Sequence, residues 1–241
     1  MSGSELDRKV NQKDLNNRLL SALSQEAYCS LQSHLEIVSL AFKQVLFQPQ
    51  ERIPYVYFPT SCLVSLLTVM TDGTAVEVGV VGNDGMAGIP LFLGTDISNF
   101  KAIVQIPGEA IRLRADVFKQ AIAQVDTLSL WIQRYINLLL IQIAQTSACN
   151  SRHPVEQRCC RWLLMMHDSA RDDKFELTQE FLAQMLCVRR ASVTEVALKL
   201  QKIGLLQYNR GKMTICDRRG LEATACECYG LLRAERDRLF G

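Results

Sequence analysis

Residues 177–203 read LTQEFLAQMLCVRRASVTEVALKLQKI, and this stretch decides the fold. Apolar residues recur at helical spacing in its two halves, which meet at a tight turn around Cys187. Thr178 is a favourable N-cap for the first helix because its hydroxyl can accept from a free backbone N–H. Ala183 is small enough for two helices to cross closely, and Val193, ten residues later, would fill that contact. The pattern predicts a helix-turn-helix.

The second helix of the pair has the polarity expected of a recognition helix. The residues predicted to form its buried stripe are Val193, Val196, Ala197, Leu200 and Ile203. Arg189 and Arg190 begin the opposite face, at the end of the helix that enters the major groove in such proteins. Arginine can bind O6 and N7 of guanine bidentately, and Ser192 suits a phosphate oxygen. Alone, two arginines at a helix start are usually only solvated.

A basic hairpin follows the helix pair. Residues 204–208 and 213–216 read as strands around Asn209-Arg210-Gly211-Lys212, which predicts a wing with Arg210 and Lys212 at its tip. Residues 151–241 hold 16 Lys and Arg against 12 Asp and Glu, whereas residues 1–150 hold 11 against 13. The order of these features favours binding to double-stranded DNA. The predicted DNA contacts are Thr178, Gln179, Arg189, Arg190, Ser192, Glu195, Lys199, Arg210 and Lys212.

The N-terminal half has a different pattern. Residues 63–70, 75–81, 101–106 and 110–114 read as strands, separated by Gly-, Asn- and Asp-containing turns. Because no long helical segment separates them, we expect antiparallel strands that close into a roll or sandwich. The predicted fold class is α+β: an N-terminal antiparallel β-roll, a long helix and a C-terminal winged helix-turn-helix. The predicted domains are residues 1–125, 126–150 and 151–241.

The spacing of apolar residues predicts a helix over residues 128–144 that is apolar on all sides, so both faces must be covered. One face can pack on the strand domain and the other on the same helix of a second copy, which gives a homodimer. The alternative is a central helix buried within a monomer. The residues predicted for the dimer interface are Trp131, Tyr135, Leu138, Leu139 and Gln142.

Composition restricts the class of protein. The chain has 241 residues, of which 48% are hydrophobic and 22% charged, so collagen-like and disordered classes are excluded. The charged N-terminal residues lack a secretory apolar run, and the most apolar helix contains too many polar residues to span a membrane. Nine cysteines are an odd number in a long chain, which is typical of reduced thiols in the cytoplasm.

These features together resemble the Crp/Fnr family of bacterial transcription regulators over almost the whole chain. The resemblance is carried by the strand domain with Gly85-Met86-Ala87-Gly88, the long helix, residues 153–158 (HPVEQR) and residues 188–193 (VRRASV). It implies a sensor β-roll similar to cyclic-nucleotide-binding domains, a dimerisation helix and a winged helix-turn-helix. It further implies contact with RNA polymerase and allosteric control of DNA binding by the β-roll.

The recognition helix departs from the pattern of the best-known members, which is Arg-Glu-Thr-Val followed two residues later by Arg. Here Arg190 keeps the first arginine, but Ala191 replaces the glutamate and Glu195 replaces the second arginine. We therefore expect a different DNA half-site. Cys187 stands where glycine is usual, so a left-handed backbone there would be mildly strained.

The sensor domain departs further, because cyclic-nucleotide binders use a Gly-Glu-hydrophobic-Gly cradle and an Arg-Ser/Thr pair. Neither the glutamate nor the arginine is present, so we do not expect ordinary cyclic AMP binding. The residues predicted for an effector pocket are Gly85, Met86, Ala87, Gly88, Ser98 and Asn99. We predict no cofactor other than an unknown small-molecule effector. A constitutive regulator with a purely structural β-roll is the alternative.

We predict no metal site. Only Cys29 lies in the first 60 residues, which excludes an N-terminal iron–sulfur cluster of several cysteines. Cys226 and Cys228 with Cys159 and Cys160 do not have structural zinc spacing, so we interpret them as packing residues. The three histidines show no ligand or catalytic spacing. A ligand-binding module or an enzyme is a further alternative, but no catalytic spacing supports it, and we predict that the protein is not an enzyme.

Overall fold

The computed structural model describes residues 12, 15–170, 172–209 and 211–240. Helices in these residues are α1 (Arg18–Ser21), α2 (Gln25–Gln32), α3 (Ile89–Phe92), α4 (Ala115–Gln124), α5 (Asp126–Arg152), α6 (Val155–Ala170), α7 (Gln179–Leu186), α8 (Arg190–Lys202), α9 (Arg218–Thr224) and α10 (Cys228–Phe240). Strands are β1 (Glu36–Leu40), β2 (Val45–Phe47), β3 (Tyr55–Pro59), β4 (Leu63–Val69), β5 (Ala75–Val81), β6 (Lys101–Ile106), β7 (Gly108–Arg114), β8 (Lys174–Glu176), β9 (Leu206–Asn209) and β10 (Lys212–Ile215).

The N-terminal strands form a roll of two antiparallel sheets, in the orders β1-β7-β3 and β2-β6-β4-β5. The β4–β5 hairpin closes through a hydrogen bond from Met70 N to Thr74 O at 2.8 Å, with Gly73 at a φ of 84°. A positive φ is inexpensive only for glycine. The predicted antiparallel fold is therefore confirmed, and the four predicted strands match β4 to β7 within two residues.

Helix α5 is 27 residues long and packs along the roll. Tyr135, Leu138 and Leu139 are buried in the same core as the strands. Helix α10 also packs on α5, where the rings of Trp131 and Phe240 stack with centroids 5.8 Å apart. The long helix is therefore covered partly by the roll and partly by the C-terminal helix of its own chain.

The C-terminal part is an α-helical unit with a small antiparallel sheet in the order β8-β10-β9. The wing hairpin, β9 and β10, is where the sequence predicted it. The polar character of residues 168–174 favours a loop, but α6 continues to Ala170 and β8 begins at Lys174. Strand β8 has only three residues, too few for a pattern of alternating polarity to be recognised.

The C-terminal unit packs against the outer face of the four-stranded sheet. Leu63, Leu67 and Ile106 of that sheet share one hydrophobic cluster with Trp162 and Phe181 of the helical unit. The alternating pattern of the strands predicts one buried face, whereas the structure buries part of the second face as well. In the described ranges, no helix combines the length and apolar character needed to cross a bilayer.

Candidate nucleic-acid interface

Helices α7 and α8 form the helix-turn-helix. Thr178 caps α7, since the Phe181 N–H donates to Thr178 Oγ1 at 3.1 Å. Cys187 ends α7 in the left-handed region, with φ 51° and ψ 52°, as the sequence predicted. Ala183 and Val193 are both nearly fully buried, which agrees with their expected role at the helix crossing.

The N-terminal end of α8 presents the two arginines to solvent. Arg189 is the N-cap residue and Arg190 the first residue of the helix, and both are exposed. Neither guanidinium forms a salt bridge with any residue that the structure describes. Since the N-terminus of a helix carries a partial positive charge, this end of α8 attracts phosphate as well as base acceptors.

The remaining predicted contacts on these helices are partly engaged within the protein. Ser192 is half-buried and Glu195 is exposed. Lys199 is paired with the carboxylate of Glu156 on α6. Gln179 Oε1 accepts from Thr194 Oγ1 at 2.7 Å, which links the two helices. Gln179 therefore positions α8 against α7 in this arrangement.

The predicted buried stripe of α8 needs one correction. Val193, Ala197 and Leu200 are buried and Val196 is half-buried, but Ile203 is 55% exposed. Ile203 is the C-cap residue, and the chain turns there through Gly204 toward β9, so its side chain leaves the helical stripe.

The wing lies next to the start of α7. Leu177 N donates to Gly211 O at 2.8 Å, and Gly211 has a φ of 80° in the hairpin turn. Lys212 is exposed and stands opposite Glu176 in the β8–β10 register. Arg210, the other predicted phosphate contact, lies outside the described residues.

A groove of about 800 Å³ separates the helix-turn-helix from the β4–β5 turn. Gly73 and Thr74 line one side, and Val188, Arg189 and Arg190 line the other. The β-roll therefore reaches the start of the recognition helix, so the roll borders any molecule bound there.

A buried carboxylate joins the two parts of the molecule. Glu77 Oε1 accepts from Trp162 Nε1 at 2.9 Å, and Glu77 Oε2 accepts from Ser65 Oγ at 2.8 Å. Burial raises the pKa of Glu77 to about 7, although both hydrogen bonds and the charge of Arg161 act in the opposite direction. Sequence patterning missed this site because Glu77 looks like one polar residue in an alternating strand.

The predicted effector cradle is packed against the long helix. Met86, Ala87 and their glycine neighbours are buried, and a Cβ at Gly85 would lie 2.3 Å from ring carbons of Tyr135. No room remains between Gly85 and that ring for a ligand in this arrangement. Ser98 is buried and donates to Phe100 O at 2.9 Å, whereas exposed Asn99 accepts from Gln50.

The residues predicted for the dimer interface lie mainly inside the protomer. Tyr135, Leu138 and Leu139 are buried against the roll, and Gln142 Oε1 accepts from Val80 N at 2.7 Å. Trp131 stacks on Phe240, as described above. A different set of α5 residues is exposed at helical spacing: Leu130, Gln133, Asn137, Leu140, Ala144 and Ser147.

Comparisons with known proteins agree with this architecture. Residues 157–224 match the model of the Crp-like helix-turn-helix domain. No curated protein sequence matches the chain. FixK2 from Bradyrhizobium japonicum superposes with a TM-score of 0.66 at 14% identity, covering 80% of this chain and 98% of its own.

Two regulators from Thermus thermophilus also have this fold. TTHB099, a transcriptional regulator of the CRP family, gives a TM-score of 0.65 at 17% identity over 78% of this chain and 96% of its own. TTHA1359, of the CRP/FNR family, gives a TM-score of 0.62 at 19% identity over 79% of this chain and 98% of its own. The resemblance found in the sequence is confirmed: a Crp-like helix-turn-helix domain stands within a Crp/Fnr fold.

Proposed function

Because the chain carries a Crp-like helix-turn-helix domain in a Crp/Fnr fold, we propose that it is a homodimeric, sequence-specific DNA-binding transcription regulator. One observation carries the proposal beyond the fold: Arg189 and Arg190 are solvent-exposed at the start of α8, without a salt-bridge partner among the described residues. Buried or paired arginines at these positions would have argued for a structural role.

We infer the following roles at the DNA. Arg190 reads a guanine in the major groove, and Arg189 and Ser192 contact phosphate near the N-terminus of α8. Lys212 in the wing, and Arg210 beside it in sequence, contact the phosphate backbone. Lys199 must release Glu156 before it can reach DNA, and Glu195 disfavours the half-site used by family members with arginine there.

For the dimer, the exposed face of α5 is a better candidate than the residues predicted from sequence. Leu130 is 46% and Leu140 is 60% exposed on that face. A symmetric helix pair would bury two leucines per protomer. Each Å² of apolar surface removed from water stabilises the pair by roughly 25 cal/mol. The two recognition helices would then enter successive major grooves about 34 Å apart.

The sensing step is part of the same proposal. The C-terminal unit packs on the roll through Leu63, Phe181 and the Glu77–Trp162 pair, so a change in the roll can shift the balance between two orientations of α8. The packing of Tyr135 onto Gly85 favours a signal that acts outside the predicted cradle, or a constitutive regulator. We place the protein in the cytoplasm, where it would meet RNA polymerase.

Salt dependence of DNA binding tests the proposal against the alternative of an enzyme or a ligand-binding module. The full chain is titrated onto a mixed duplex pool at several salt concentrations. For a regulator, the logarithm of the binding constant falls linearly with the logarithm of the salt concentration, with a slope of about −0.9 per neutralised phosphate. If the chain does not bind duplex DNA at low salt, or if its affinity does not depend on salt, the result would contradict the proposed DNA binding. Calorimetry with a panel of nucleotides and metabolites then separates a ligand-gated regulator from a constitutive one.

A further inference from the structure

Four potential metal ligands meet where α5, α6 and α10 come together. Cys149 in α5 and His153, the C-cap of that helix, stand one helical turn apart, whereas Cys228 begins α10 and Cys226 lies two residues before it. Their ligating atoms all lie within 4.8 Å of one another. The three cysteines are almost fully buried and form a cluster separate from the two larger cores.

We propose that these residues form a tetrahedral zinc site with three thiolates and one imidazole. Cys149 Sγ lies 3.5 Å from Cys226 Sγ, and Cys228 Sγ lies 3.6 Å from His153 Nδ1. Zn–S and Zn–N bonds of about 2.3 and 2.0 Å give tetrahedral edges of about 3.8 Å between sulfurs and 3.5 Å between sulfur and nitrogen. These two of the six edges lie within about 0.3 Å of those values, and no pair of ligating atoms is further apart than 4.8 Å.

The surrounding hydrogen bonds prepare the ligands for a cation. His153 Nε2 lies 3.1 Å from Glu227 Oε1, so the ring donates to the carboxylate and directs the Nδ1 lone pair toward Cys228. A carboxylate that orients a ligating histidine in this way is a common feature of zinc sites. Gln145 Nε2 donates to Cys228 Sγ at 3.0 Å, which stabilises a thiolate. Simple packing of thiols would require neither arrangement.

Charge also fits a bound divalent cation. Three thiolates, a neutral imidazole and Zn²⁺ together carry one negative charge. Arg161 as a whole residue is only 4% exposed, and its Nη1 donates to Thr146 Oγ1 at 3.5 Å, one turn before Cys149. Arg161 therefore supplies a buried positive charge on α6, opposite in sign to that remaining negative charge.

The location of the site connects it to the orientation of the DNA-binding unit. His153 is the C-cap of α5 and is followed by Pro154 and the start of α6. A metal held by both α5 and the start of α10 would fasten the C-terminal unit to the long helix at this junction. This regulatory consequence rests on the proposed function, whereas the metal site itself does not.

Metal content and cobalt spectra of the full chain test the site directly. We expect about one zinc per protomer by elemental mass spectrometry. Adding Co²⁺ to metal-free protein should give the visible bands of a tetrahedral thiolate complex, and Zn²⁺ should displace them. Cys228→Ser should abolish the spectrum, whereas Cys216→Ser, at an exposed cysteine outside the cluster, should leave it unchanged.

A variant at the exposed edge of the metal-ligand cluster keeps the test decisive if Cys228→Ser does not fold. Glu227→Gln removes the carboxylate that orients His153, and the Glu227 side chain is 70% exposed, so folding should persist. We expect a 10- to 100-fold loss of Co²⁺ affinity. Less than about a tenth of an equivalent of zinc without a cobalt spectrum, or a Cys149–Cys226 disulfide in the native protein, would overturn the proposal. None of these readouts depends on DNA binding.

Discussion

At the scale of single residues, base reading and phosphate contact fall to different side chains. Arg190 stands at the tip of α8, while Lys212 stands in the wing. Arg190→Ala should weaken binding to the preferred site by about 1–3 kcal/mol and relax preference at one base pair. Lys212→Ala should weaken binding to all duplexes by a similar factor. Equal losses for both variants on preferred and random DNA would contradict a base-reading role for Arg190.

Cys187 allows a test of local strain. Its left-handed backbone costs a residue with a Cβ roughly 1–2 kcal/mol that glycine avoids. Cys187→Gly should therefore raise the free energy of unfolding by about 0.5–1 kcal/mol after the larger entropy of unfolded glycine is included. Cys187→Ser is the matched control and should give no such gain. Denaturant titrations that rank serine at or above glycine would argue against strain at this turn.

Glu77 gives the fold a pH dependence. Its pKa of about 7 in the folded state exceeds the ordinary value, so the folded state binds more protons between about pH 4.5 and 7. The contribution of Glu77 to the free energy of unfolding is fully present below that interval and is lost as pH rises through 7. Between the low-pH and high-pH ends of this interval, the free energy of unfolding falls by about 3 kcal/mol.

Glu77→Gln should remove this dependence, because glutamine can still accept from Trp162 but cannot ionise. Chemical denaturation from pH 5 to 8.5 should show wild type losing stability relative to the variant as pH rises. Glu195→Gln, at an exposed carboxylate, is the control. Parallel curves for wild type and Glu77→Gln would show that this carboxylate does not titrate in that range.

At the scale of elements, α5 has two faces with different consequences. Leu139 is 8% exposed against the roll, whereas Leu140 is 60% exposed. Leu140→Glu should give a folded monomer by sedimentation, since it places a charge in the proposed helix pair. Leu139→Glu should instead lower the melting temperature sharply. A Leu140→Glu dimer of unchanged affinity would refute this face as the interface.

How well each element can be predicted from the sequence depends on whether its contacts are local or distant along the chain. Strands β4 to β7, the helix-turn-helix and the wing follow local periodicity and turn residues, so they were predictable. The sequence predicts that α5 is apolar all round, but which of Leu139 and Leu140 faces the roll depends on the rotation of the helix against Gly85 and Gly79. The metal-ligand group escaped notice because His153 and Cys228 are 75 positions apart in the chain. The spacings C-x₃-H and C-x-C were the available signals.

At the scale of the whole molecule, the decisive contacts are between distant segments. Phe42 packs edge-on against Phe181 with ring centroids 5.6 Å apart, and Trp162 reaches Glu77 across the same boundary. No local pattern encodes these pairs, so the packing of the C-terminal unit on the roll could not be predicted. This packing places the β4–β5 turn beside α8, where the two parts of the molecule can influence each other.

Selection of bound fragments from a random duplex pool with the full chain tests the central claim most directly. We expect an enriched, nearly palindromic site whose two half-sites are centred about 10 base pairs apart, and loss of that enrichment with Leu140→Glu. A pool that stays unenriched at low salt, or a single unpaired half-site, would contradict a dimeric sequence-specific regulator.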